Sequence, residues 1–145
     1  MKVSGIMSRA AMAAIILGSG TAVFAHTHNS HASMTTHGRI TSCDQIEFSF
    51  DDRPAARDEQ TFNIARSQAP TLKAHLSEGV GLTAFTGSSS DYVVHACKAA
   101  SANYSAPSDE NLAAIRAEFS NGELRVHSPE SDNWGMYLIV EAPAG

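Results

Sequence analysis

Beyond residue 40, apolar and polar residues alternate with a period of two along most of the chain. At that period, successive side chains of a strand point to opposite faces. In residues 45–50, Ile46, Phe48 and Phe50 alternate with Glu47 and Ser49, the pattern of a half-buried strand. Phe62 and Ile64 mark a second short strand, closed off by Pro70. Residues 72–76 (LKAHL) alternate again, with His75 on the polar side. Residues 80–85 (VGLTAF) set Val80, Leu82 and Ala84 against Thr83 and Phe85. Residues 91–100 (DYVVHACKAA) carry Tyr92, Val94 and Ala96 on one face and Val93, His95, Cys97 and Ala99 on the other. Both faces are mostly apolar, so this strand should be covered on both sides. Residues 134–140 (WGMYLIV) share that property and read as a central strand.

Between these runs lie turn signals and two other local structures. Residues 51–60 (DDRPAARDEQ) are dense in charge and contain Pro54, so they read as a solvated loop. Ser108 is a good N-cap followed by Asp109 and Glu110, and Leu112 and Ile115 form an apolar stripe. A short helix over residues 108–115 follows, covering the open face of a sheet. Asn121-Gly122 is the favoured pair for a two-residue type I′ turn. In that register Phe119 opposes Leu124 and Ala117 opposes Val126 on one face, while Glu118 opposes Arg125 on the other as a charge pair. A helix extended to Phe119 would have to ignore the Asn-Gly turn. The recurrence of short strands predicts an all-β fold with one short helix, either a β-sandwich or a β-solenoid-like strand stack.

The front of the chain follows different rules. Lys2 and Arg9 precede a short apolar run at residues 10–17, and Val23-Phe24-Ala25 fits a signal-peptidase site after Ala25. The run is well short of the ~20 residues that a membrane span needs. The expected organisation is a signal peptide over residues 1–25, a disordered His-rich arm over 26–39 and one β-rich domain over 40–145, in an exported protein that is periplasmic, secreted or on the outer surface. Removing Lys2 and Arg9 takes the formal charge from −5 to −7. An acidic chain is a poor partner for nucleic acid or anionic membranes, both of which select basic patches. No second apolar run is long enough to cross a bilayer, so the mature chain should have no transmembrane span.

Export changes the meaning of the two cysteines. Cys43 and Cys97 are most simply a disulfide in an oxidising compartment; two free buried thiols are the alternative. Cys43 has the parity of the polar face, so either it lies in a bend before its strand or the bridge reaches from the outer face. A mature terminus of His26-Thr27-His28 could wrap Cu(II) or Ni(II) in a square plane through His26, His28 and backbone amides. His95 and Cys97, two apart on a strand, could share a metal with His127 or Cys43. The competing reading makes Cys97 a half-cystine and His95 a core histidine with a hydrogen-bonded ring. No nucleophile elbow, phosphate-binding loop, zinc-protease helix or C-x-x-C pair is present in the sequence. No catalytic residue is therefore nominated, and the chain is expected not to be an enzyme.

Three stretches carry a resemblance: Cys43-Asp44-Gln45-Ile46, the run Ala96-Cys97-Lys98-Ala99-Ala100, and Tyr137-Leu138-Ile139-Val140-x-x-Pro143. The segment Arg53-Pro54-Ala55-Ala56-Arg57 and the V-x-L-x-A strand before Asp91-Tyr92 fit the same layout. Together they resemble the leading part of a bacterial family of exported, adhesin-type β-strand-repeat proteins. The resemblance implies an exported, non-enzymatic structural or interaction module of the cell envelope, connected with adhesion, whose partner is an unidentified protein or surface component. Relatives of that type carry repeated Asn-Gly turns, and this chain has one, at Asn121-Gly122.

Overall fold

A computed structural model of the chain describes the backbone of residues 11–14 and 22–24 and all atoms of residues 32–51, 53–102, 106–129 and 133–145. The strands in chain order are β1 (Ala11–Ala14), β2 (Ala22–Phe24), β3 (Ser33–Thr36), β4 (Ile46–Ser49), β5 (Ala55–Ile64), β6 (Lys73–Leu76), β7 (Val80–Thr86), β8 (Tyr92–Ser101), β9 (Arg116–Ser120), β10 (Glu123–His127) and β11 (Trp134–Ala142). One helix, α1 (Ser108–Ala113), lies between β8 and β9, and a 3-10 turn at Cys43–Gln45 precedes β4.

The described strands form a five-stranded sheet in the order β2-β7-β11-β8-β5, a four-stranded sheet in the order β1-β6-β10-β9, and the pair β3-β4. The five-stranded sheet is the middle layer. At its centre β11 runs parallel to β7 and antiparallel to β8, and β8 pairs antiparallel with all ten residues of β5. Strand alternation then decides the two interfaces. Val94, Ala96, Met136, Leu138 and Val140 face the four-stranded sheet, where they pack with Ala74, Leu76, Ala117 and Leu124. Cys97, Ala99, Tyr137 and Ile139 face the other way, onto Ile40, Ile46, Phe48 and Phe50. Each fully buried Leu, Ile or Val contributes about 1.5–3 kcal/mol of transfer free energy. The fold is all-β with one short helix, a sandwich-like stack of sheets held by one disulfide. A solenoid would keep consecutive strands side by side, and the order β7-β11-β8-β5 does not.

Two glycines let the layers close. A Cβ on Gly135 would come within 2.9 Å of the Phe48 ring. One on Gly81 would come within 2.5 Å of the Tyr137 ring and 3.0 Å of the Met34 methyl. Both rings therefore lie on bare backbone of the middle sheet.

The structure corrects several expectations. The charged segment at 51–60 is a loop only at its start. From Ala55 onward it belongs to β5, which runs to Ile64. β5 is a sheet edge with an exposed face, and charges are the ordinary protection of such an edge, so charge density does not mark a loop here. The arm at 26–39 is not wholly irregular: Ser33–Thr36 pair with β4, and Met34 packs on the core beneath. The helix ends at Ala113, short of Ile115, and is preceded by Pro107 as N-cap, with Ser108 already helical. Ile115 is fully buried just before β9, so its apolar character serves the sheet interface. The Asn121-Gly122 hairpin has the expected register, with positive φ at both turn residues. Glu118 and Arg125 are register partners, but their charges go elsewhere: Arg125 turns along its own strand to Glu123 at 3.0 Å, and Glu118 meets His127 at 2.8 Å.

Candidate functional site: the disulfide groove and the clamp around His95

The segment before β4 is short and polar, and a single glutamine organises it. The Gln45 side-chain oxygen accepts from the Thr41 amide at 2.7 Å, the Ser42 amide at 3.1 Å and the Thr41 hydroxyl at 3.1 Å. Its side-chain nitrogen donates to the Arg39 carbonyl. The chain is thereby folded into the turn that carries Cys43, which resolves the parity question in favour of a bend. Cys43 then reaches Cys97 on β8 in a disulfide with Cα atoms 5.4 Å apart. Cys97 is buried and Cys43 is partly exposed.

Beside the bridge lies an open groove of about 310 Å³, bounded by Cys43, Asp44, Ile46 and Phe48 on one side and by Arg57, Asp58, Glu59 and Lys98 on the other. Its cations are occupied. Arg57 donates to the Phe48 carbonyl at 3.2 Å and lies over the Phe48 ring, tying β5 to β4. Lys98 donates to the Ile115 carbonyl at 2.9 Å and stands 3.8 Å from Asp58. The groove is therefore mixed in charge and shallow. It offers contact surface and no convergent set of reactive groups.

His95 projects from the same face of β8 as Cys97. One ring nitrogen, Nδ1, lies 3.0 Å from Glu59 and 3.3 Å from the Thr61 hydroxyl; Nε2 lies 3.5 Å from Glu141. These contacts join β5, β8 and β11. Each ring nitrogen thus faces one carboxylate, with the hydrogen bond at Nδ1. All three side chains are partly exposed, so the pairs contribute little net stability. His95 is thus not the core histidine expected from its apolar neighbours. Its two carboxylates were hidden in the sequence because Glu59 sat in a segment read as a loop. Extending the Phe62 strand backwards by parity would have placed Glu59 and Thr61 together on one face.

The metal set of His95, Cys97 and His127 or Cys43 is not assembled. Both cysteines are in the disulfide, and His127 lies on β10 in a different sheet, bonded to Glu118. Among the described residues no group of three or more His, Cys, Asp or Glu side chains has the geometry to hold a metal ion. His26 and His28 lie outside the described residues. Under the β3–β4 layer, the Tyr137 hydroxyl shares a hydrogen with Thr83, and burial raises its pKa above the usual tyrosine value while that hydrogen bond works against the rise. No helix among the described residues is long and apolar enough to cross a membrane. No family model, curated protein or solved structure matches the chain.

Proposed function

We propose that the protein is an exported, non-enzymatic interaction module of the bacterial cell envelope, in line with the resemblance to adhesin-type strand proteins. The observation that carries this reading is the Cys43–Cys97 disulfide, which joins a surface turn to the middle sheet. Such bridges persist in oxidising compartments, and the leader-like residues 1–25 supply a route to one. Support for a binding role comes from how the chemistry-bearing groups are used: Arg57, Lys98, His95 and Glu59 are engaged in joining strands. What remains available to a partner is sheet edge and groove surface.

The test is fractionation of a bacterial host producing the full chain, with terminal sequencing and intact mass of the recovered protein. The expected product begins at His26, lies outside the cytoplasm and shows no reaction with a thiol alkylating agent until it is denatured and reduced. Retention in the cytoplasm with the leader intact and both thiols free would overturn the reading.

A further inference from the structure

The two edges of the five-stranded sheet differ. One edge is β5, which carries Arg57, Asp58 and Glu59 in its exposed run. Charges there discourage pairing with another strand. At the other end, β7 (VGLTAFT) has no charged residue in seven positions, and among the described residues three, those of β2, cover it. Those three pair with Gly81, Leu82 and Thr83. They lie within residues 1–25, the segment read above as removed on export.

The backbone on the open side of β7 can be assigned. Met136 donates to the Gly79 carbonyl and Gly87 donates to the Ala142 carbonyl, so odd-numbered positions of this stretch face β11. Hydrogen bonding alternates along a strand in a parallel ladder. The N–H and C=O groups of Val80, Leu82, Ala84 and Thr86 therefore point away from β11, toward β2. Once the leader is gone, that row has no strand beside it among the described residues.

We infer that the mature protein pairs β7 with β7 of a second copy, antiparallel across a two-fold axis, to make one continuous sheet through two protomers. This rests on the export reading above. Three observations select a second copy. The occupant that β7 already accepts is antiparallel, so there is room for a strand in that direction. The strand is self-complementary, because it has no charge to repel its twin. The register that sets Val80 opposite Thr86 and Leu82 opposite Ala84 uses all seven residues and joins outward-facing groups to outward-facing groups. With β5 guarded, each protomer has one open edge in this sheet. β6 of the four-stranded sheet loses β1 in the same cleavage, but it is only four residues long and carries Lys73 at an exposed position, the usual protection of an edge. The assembly therefore closes as a dimer and does not grow.

The experiment starts from the protein recovered from the exported fraction, with its terminus sequenced. Its mass in solution is measured by sedimentation between 1 and 100 µM, together with hydrogen exchange of individual amides. The expected result is a reversible dimer in which the Leu82 and Ala84 amides are protected at high concentration and exchange quickly on dilution. Thr86→Pro removes an outward N–H at an exposed position without touching the ladder to β11. It is expected to weaken the dimer at least tenfold while leaving the thermal midpoint of the monomer unchanged. A leaderless protein that stays monomeric overturns the inference and leaves the export reading standing. A dimer whose Leu82 and Ala84 amides exchange freely, or that ignores Thr86→Pro, uses another surface and also overturns it; so does capture of a different protein on β7 in place of the second copy. A protein that retains its leader overturns both readings, and the terminal sequence identifies that case.

Discussion

At the scale of single residues, the tightest constraint is the seat of Tyr137. Its ring lies against the backbone of Gly81, with the Met34 methyl beside it, and its hydroxyl is bonded to Thr83. Gly81→Ala would push a methyl into the ring at a place where neither strand can retreat. It is expected to destabilise the protein by about 1–3 kcal/mol, read as a lower urea midpoint at unchanged slope. A neutral effect would mean that the β3–β4 layer slides freely. The hydroxyl gives a second handle. Its pKa is raised by burial, with the Thr83 bond pulling it back in part. Below the unfolded-state value near 10 both states hold the proton, and this group adds no pH dependence to stability. Above it the unfolded chain ionises first, so stability falls as pH rises through the folded value. Tyr137→Phe should cost about 1 kcal/mol at pH 8 through the lost hydrogen bond, yet lose stability less steeply between pH 10 and 11. Equal slopes for the two proteins in that window would contradict the assignment.

At the scale of elements, legibility followed local chemistry. The 117–126 hairpin could be read to the residue because Asn121-Gly122 fixes both turn and register, and φ is positive at both positions. The two-sided covering of β8 and β11 could be read because both faces are apolar. β5 was half hidden, because its edge is guarded by the same charges that mark a loop elsewhere. β3 was hidden too: its sequence, SMTT, has one large apolar residue, and only the partner strand β4 gives it order. The clamp around His95 depends on diagonal contacts across three strands, which no linear spacing encodes. The disulfide could be anticipated as a pair, and its role is now specific: it fastens the β3–β4 side of the molecule to the middle sheet. Cys43→Ser with Cys97→Ser should cost about 4 kcal/mol for cysteines 54 positions apart, measured by urea unfolding. Hydrogen exchange should rise first in β4 and remain slow in β10, since Leu124 packs in the other core. Uniform acceleration of both would show that the two cores unfold as one.

At the scale of the molecule, three stacked layers leave the sheet edges as the open question of the fold. The middle sheet is covered on both faces over β7, β11 and β8, so strand pairing with another chain has to come at its two ends. One end, β5, holds Arg57, Asp58 and Glu59 outward, and Arg57 is needed for its bond to Phe48. The other end is the three-residue β2, and the strand beneath it, β7, carries no charge. This asymmetry makes a definite statement about assembly. Replacing Asp58 and Glu59 by threonine keeps strand propensity and Arg57 but removes the acidic protection. The variant then has two pairing-competent edges per protomer, and pairing of both converts a closed dimer into an open-ended array. Light scattering of the leaderless variant should rise with time and concentration, and Thr86→Pro in the same chain should reduce it by blocking growth through β7. Glu59→Thr also releases one carboxylate from His95, so His95→Gln serves as the control for loss of that clamp alone, with no scattering expected. If the double threonine variant stays as small as the parent, the charges on β5 are not what limits assembly, and the geometry of the edge itself must forbid a second strand.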